Sequence, residues 1–118
     1  MTKVMIVDDD HTTVKLLTTL CELDGFDVST ARRGMDVLPL VAKHNPDVIL
    51  MDYHLTDMDG VEVLHKLRAN AEYAKIPVVM ASGLDVEEEA KAAGATVFLV
   101  KPFEPSDLIN LFHSLSGG

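Results

Sequence analysis

The stretch "VMIVDDDHTT", residues 4–13, decides how the chain is read. An apolar run with the length of a buried strand ends in three consecutive aspartates, Asp8, Asp9 and Asp10. Carboxylates that close together repel one another when desolvated, and a buried charge is costly unless it is paired or bound to metal. The rest of the chain must therefore supply a cation, a second carboxylate site or a solvated loop.

The same apolar pattern recurs further along. "DVILM" (47–51), "PVVMA" (77–81) and "TVFLV" (96–100) join "KVMIV" (3–7) as short runs rich in β-branched residues. None alternates cleanly. Continuous hydrophobicity is what a parallel strand covered on both faces needs, so all four are expected to be buried. "FDVST" (26–30) alternates Phe26 and Val28 with polar residues and fits an edge strand.

Helical spacing fills the intervals. Val14, Leu17, Leu20 and Cys21 share one face of residues 11–23, and Gly25 follows as a stop. Val61, Val63, Leu64 and Leu67 line one side of 61–69. Leu108, Ile109, Phe112 and Leu115 form a last stripe, with Glu104 the expected cap and Pro105 at the first helical position. Pro39 inside "GMDVLPLVAKHN" predicts a second helix that is short or kinked. "DVEEEAKAAG" (85–94) has room for about two turns. Strand and helix thus alternate five times, which gives an α/β fold: a five-stranded parallel sheet with helices on both faces. A terminal "SGG" is expected to fray.

The bulk numbers fit one such domain spanning 1–118. The chain has 118 residues, 47% hydrophobic and 25% charged, enough for a single core without staples. Its net charge of −9 repels nucleic acid and anionic lipid and favours cationic partners or metal ions. The lone Cys21 excludes an internal disulfide and reads as an apolar filler. No apolar run approaches the ~20 residues of a membrane span, and the N-terminus is unlike a secretory signal, so a cytoplasmic protein is expected.

In an open α/β sheet, ligands bind outside the carboxyl ends of the strands. The first strand delivers Asp8 and Asp9 there, the third Asp52, the fourth Ser82 and the fifth Lys101. Three clustered acids suit Mg2+, a hard cation that needs few protein ligands. With the repulsion relieved, one oxygen of Asp52 can act as a nucleophile and form an acyl phosphate. A phosphoryl group in transfer needs metal, lysine and hydroxyl donors around its oxygens, and Lys101 and Ser82 are of those types. Taken singly, each residue has a plainer role: a strand-end aspartate often caps a helix, as is expected of Asp10, a strand-end lysine is usually solvated, and Ser82 could be a turn hydroxyl. The joint pattern carries the weight.

Those motifs, "VMIVDDD", "DVILMDYHLTDMDG", "VVMASG" and "VFLVKPF", resemble the response-regulator receiver domain of two-component signalling over essentially the whole chain. The resemblance implies a (βα)5 flavodoxin-like receiver fold. It makes Asp52 the phosphoacceptor and places Asp8 and Asp9 in the metal site, with Asp9 the favoured direct ligand. Asp52 itself and the backbone carbonyl of His54 would complete the Mg2+ ligands. It pairs Lys101 with Asp52 and then with the phosphoryl oxygens, and makes the Lys101–Pro102 bond cis. Ser82 and Phe98 take the two switch positions, coupled to the surface of the fourth helix, fifth strand and fifth helix through which a downstream protein would dock. His54 and Leu84, two residues past the acceptor and the switch serine, would tune loss of the phosphoryl group. The implied donor is a histidine kinase or a histidine phosphotransfer protein. The domain is expected to act alone, as a monomer or weak dimer, without nucleic acid or membrane.

Some positions depart from that pattern. Thr56 stands where proline is usual, Gly83 where alanine is common, and Phe98 lacks the hydroxyl a tyrosine would use for readout. The interval from Ser82 to Lys101 is shorter than expected by roughly one helical turn, at the fourth helix. "DMDG" (57–60) resembles part of a calcium loop but lacks the closing glutamate, and reads as a turn into the third helix. The five histidines lack metal spacing, and at least four are expected at the surface.

Two other functions compete. "VMIVDDDHT" also fits the D-x-D-x-T start of haloacid-dehalogenase-like phosphatases, with Asp8 as nucleophile and Asp10 as acid/base, but that reading leaves Asp52 without a task. A receiver fold used only as a docking scaffold would have no need of a complete acidic pocket. A flavodoxin-like electron carrier is a weaker reading still, because three aspartates would repel the phosphate its first loop must cradle.

Overall fold

The computed structural model describes residues 1–117; Gly118, the last residue of the terminal "SGG", lies outside them. Strands β1 (Lys3–Val7), β2 (Asp27–Ala31), β3 (Val48–Asp52), β4 (Val78–Ser82) and β5 (Val97–Val100) alternate with helices α1 (His11–Leu23), α2 (Val37–His44), α3 (Gly60–Ala69), α4 (Glu87–Ala92) and α5 (Pro105–Leu115). The sheet is parallel throughout, in the order β2-β1-β3-β4-β5.

The apolar runs without alternation have a direct cause. Successive residues of β1 feed opposite cores: Val4 and Ile6 pack with Leu17, Cys21, Leu108 and Phe112, whereas Met5 and Val7 pack with Val37, Val41, Leu64 and Leu67. Helices α1 and α5 therefore cover one face, and α2, α3 and α4 the other. Cys21 is fully buried in the first of these cores, and its thiol is pushed up to about 11, by burial first and then by Asp24 and Glu22. The apolar-filler reading of Cys21 holds.

One expectation about burial fails. Met51 and Met80 in β3 and β4 are wholly inaccessible, but β5 is only half-buried and Val100 is 63% exposed. β5 is the edge of the sheet, and the helix preceding it, α4, is six residues long and presents only alanines to the core, Ala90 within it and Ala93 just after it. An uninterrupted apolar run does not distinguish a central strand from an edge strand.

Helix boundaries follow local chemistry. Gly25, at φ 91°, ends α1 as expected, and Asn45, at φ 49°, ends α2. A 3-10 turn at Gly34–Asp36 leads into α2, which is short, as expected, but carries no break at Pro39. Pro39 lies in its first turn, where a missing N–H removes no intrahelical bond. Pro105 opens α5 as expected, whereas Glu104 makes no side-chain cap; its carbonyl, not its carboxylate, accepts the Leu108 N–H.

Candidate functional site

The strand order reverses between β1 and β3, and in doubly wound sheets the crevice for ligands opens at such a reversal, at the carboxyl ends of the strands. β1 runs into Asp8 and Asp9 there, and β3 ends on Asp52. One carboxylate oxygen from each of the three lies within 4.8 Å of the others. Asp8 is 3% exposed, and its Oδ1 accepts the Asp10 N–H at 2.9 Å.

Lys101, just past β5, enters this cluster. Its Nζ stands 3.1 Å from Asp52 Oδ1 and 3.3 Å from Asp8 Oδ2. Burial raises the Asp52 pKa; contact with Lys101 opposes this, and Asp8 and Asp9 add to it. Burial alone would lower the Lys101 pKa, but its contacts with Asp52 and Asp8 outweigh that and raise it. Three carboxylates thus face one ammonium. The oxygen-only donor set and the remaining negative charge fit a hard divalent cation such as Mg2+.

Ser82 ends β4 one position beyond Ala81, the residue paired with Asp52. It is 1% exposed, and its Oγ accepts the Leu84 N–H at 3.0 Å. The turn-hydroxyl reading of Ser82 is therefore realised at the same place as the rim reading. The Lys101–Pro102 peptide is cis, as the resemblance implies. Phe98 pairs with Met80 across the strands and is half-buried against the α2–α3–α4 core. Leu84 is 58% exposed.

His54 extends outward. Its ring lies 4.6 Å from that of Tyr53, and Nδ1 is 3.6 Å from Asp59. Four of the five histidines are exposed and His44 is intermediate, as expected. His113 is one of the four, and it contacts Asp24 and stacks on Phe26, tying α5 to the end of α1. Asp10 occupies the N-cap position of α1, but its carboxylate accepts the Thr13 hydroxyl rather than making a side-chain cap; that bond lowers its pKa.

Sequence reading missed three contacts around the rim. Thr56 donates its hydroxyl to Asp9 Oδ2 at 2.7 Å, joining the loops after β1 and β3. Asp57 accepts the Met35 N–H at 3.0 Å and the Gly34 N–H at 2.8 Å, which lowers its pKa and caps the turn into α2. So "DMDG" is a turn, as expected, but one that also anchors a second helix. Gly60 brings the start of α3 against β3: a Cβ there would overlap the Asp52 carbonyl oxygen. Only Gly60 had a visible signal, as the glycine of that turn. The other two are side-chain bridges between loops far apart in sequence.

Comparison with known proteins agrees with this geometry. Residues 4–113 match the response regulator receiver domain. The polar-differentiation response regulator DivK of Brucella ovis is 34% identical, over 99% of this chain and 98% of its own. The chemotaxis response regulator CheY4 of Vibrio cholerae superposes with a TM-score of 0.90 at 31% identity, covering 98% of each chain. The receiver domain of a sensor histidine kinase from Pseudomonas aeruginosa, described with a magnesium ion in its active-site cleft, shares the fold at 22% identity and a TM-score of 0.89, covering 99% of this chain and 98% of its own. The phosphatase reading, which needs Asp8 as nucleophile and leaves Asp52 idle, falls away. With its acidic rim, its inserted lysine and full-length likeness to response regulators, the chain belongs to the response regulator receiver domain family.

Proposed function

We propose that Asp52 is the phosphoacceptor of this receiver domain, phosphorylated from the phosphohistidine of a histidine kinase or a histidine phosphotransfer protein. The observation that carries the reading is the position of Lys101, whose ammonium touches Asp52 and Asp8 at once inside the carboxylate cluster. Asp8, Asp9, Asp52 and the His54 backbone carbonyl would hold Mg2+, the ion described in the Pseudomonas neighbour. When bound, it neutralises the carboxylates and offsets charge on the phosphoryl oxygens.

The protein's own groups do the rest. One Asp52 oxygen attacks phosphorus in line; the new O–P bond forms as the N–P bond breaks, and the imidazole leaves with the electron pair. Lys101 passes from the carboxylate pair to a phosphoryl oxygen, replacing one anion by another. Ser82 releases the Leu84 N–H and turns its hydroxyl to donate to the phosphoryl group. That movement frees the β4–α4 turn, and half-buried Phe98 repacks with it. Exposed Leu84 and Val100 belong to the α4–β5–α5 face, the docking surface for a downstream protein. His54 and Leu84, two residues past the acceptor and the switch serine, set how readily water removes the phosphoryl group. The domain turns over no separate substrate; it catalyses only its own phosphorylation and dephosphorylation, as a monomer or weak dimer.

The test is intact mass after incubation with acetyl phosphate, with and without Mg2+, on wild type, Asp52→Asn and Asp8→Asn. The expected result is a Mg2+-dependent gain of one phosphoryl group that Asp52→Asn abolishes. Labelling that survives Asp52→Asn overturns the assignment.

A further inference from the structure

We propose that Thr56 is a positioning residue for the cation site: its hydroxyl holds the Asp9 carboxylate in the orientation that binds Mg2+. The inference rests on the reading of Asp8, Asp9 and Asp52 as that site. Its basis is an asymmetry among the three acids. Asp8 is buried, accepts the Asp10 N–H and contacts Lys101, and Asp52 is held by Lys101. Among the described residues, the Thr56 hydroxyl, at 2.7 Å from Oδ2, is the one hydrogen-bond donor that reaches the Asp9 carboxylate.

Thr56 is well placed to act as an anchor. Neighbouring Leu55 is buried, and its N–H bonds to the Met58 carbonyl at 3.1 Å. His54 and Asp59 form a backbone bridge, and the Gly60 N–H donates to the Tyr53 carbonyl. Asp57, on the same loop, is tied to Gly34 and Met35. The segment carrying Thr56 is therefore closed on itself and fastened at both sides, so its hydroxyl is a fixed point.

One hydroxyl donor occupies one lone pair of an ionised carboxylate, which has about four acceptor sites, so Asp9 keeps capacity for a cation. Fixing the side chain beforehand removes rotamer freedom that ion binding would otherwise have to remove. Hydrogen bonds from outside the ligand set commonly govern metal affinity in this way. A proline at position 56, usual in the family pattern, would offer no hydroxyl to make this bond.

The experiment is calorimetric titration with Mg2+ alone, at fixed ionic strength, of wild type, Thr56→Val, Thr56→Ser and Asp9→Asn, with thermal melting of each. Thr56→Val keeps the shape and loses the donor; Mg2+ affinity is expected to fall about tenfold, the modest end for a partner outside the ligand set. Thr56→Ser should restore affinity to about the wild-type value, a rescue that a merely structural threonine would not require. Equal or tighter binding by Thr56→Val, or no rescue by serine, overturns the proposal while leaving the cation site standing. Wild type that takes up no Mg2+, or binding unaffected by Asp9→Asn, overturns the underlying reading and the proposal with it.

Discussion

The two ends of the β3–β4–β5 half of the sheet are built differently. Around β3 and α3, Val48 to Met51 of the strand are buried, three residues of the helix (Val63, Leu64, Leu67) are fully buried, and a glycine lets helix and strand backbones touch beside Asp52. Around α4 and β5, the helix has six residues, the strand is half-exposed, and Leu84 and Val100 face outward. Segments with few buried apolar contacts open at lower free energy than the core. Asp52, the proposed acceptor, thus sits on the side with the denser core. Ser82 and Phe98, the proposed switch positions, lie at the boundary between the two regions.

The comparison would break first at Leu64. Fully buried in the α3 core, it should lose about 3 kcal/mol on replacement by alanine, within the range of large-to-small core changes. Urea unfolding would show this as a lower midpoint at constant slope, and a loss below about 1 kcal/mol would mean that this side is not close-packed. Gly60→Ala should follow, at about 1–3 kcal/mol, because the new methyl meets a backbone oxygen that cannot swing away. As that oxygen belongs to Asp52, phosphorylation by acetyl phosphate should slow as well. Unchanged labelling alongside the lost stability would separate the packing role from the acceptor's position.

The rim was legible because it is written in strand ends. Once β1, β3, β4 and β5 are recognised as apolar runs, the residues that end or follow them, Asp8, Asp9, Asp52, Ser82 and Lys101, fall on one edge by topology alone. Strand limits differ by one residue at most, and the apolar runs of β1, β3, β4 and β5 each stop at a polar residue, Asp8, Asp52, Ser82 and Lys101. What stayed hidden depends on distance across the fold. Whether β5 is central or an edge is decided by strand order, and the runs themselves do not encode it. Thr56 and Asp9 are 47 residues apart, and Asp57 and Gly34 are 23 apart. No periodicity relates such pairs. Glu104 and Asp10 show a smaller limit: a residue at the N-cap position need not use its side chain as the cap.

The six-residue α4 raises the question of what holds that end in place. Arg68, at the end of α3, reaches across: its Nε donates to the Gly94 carbonyl at 3.0 Å, and its Nη1 to Ala74 and Ile76 at 3.0 and 2.7 Å. The side chain runs so close to Gly94 that a Cβ there would press on it. Arg68 thus binds the α3–β4 loop and the α4–β5 turn with one planar group, a geometry that lysine does not reproduce. Its loss should cost about 1–2 kcal/mol, set by hydrogen bonds from a charged donor that are partly open to water. The signature should be local: faster hydrogen exchange through residues 90–97, with the amides of β1 and β3 unchanged. Uniform acceleration would instead make Arg68 part of the global core.

The surface of α4 provides the complementary test. Lys91 Nζ lies 3.2 Å from Glu87 Oε2, an i, i+4 pair with both side chains about half exposed. Three glutamates crowd the first turn, where the helix dipole favours them, so the lysine is not needed to make that turn tolerable. Exposed pairs of this kind contribute roughly 0–1 kcal/mol, and i, i+4 helix pairs about 0.3–0.5. Lys91→Ala should therefore shift the unfolding midpoint far less than Arg68→Ala, and the small shift should vanish in high salt, where surface charges are screened. An effect as large as that of Arg68→Ala, persisting in salt, would mean that α4 is held by its solvent face. The expected result assigns its place to Ala90 and Ala93 in the core and to Arg68 at the adjoining turn.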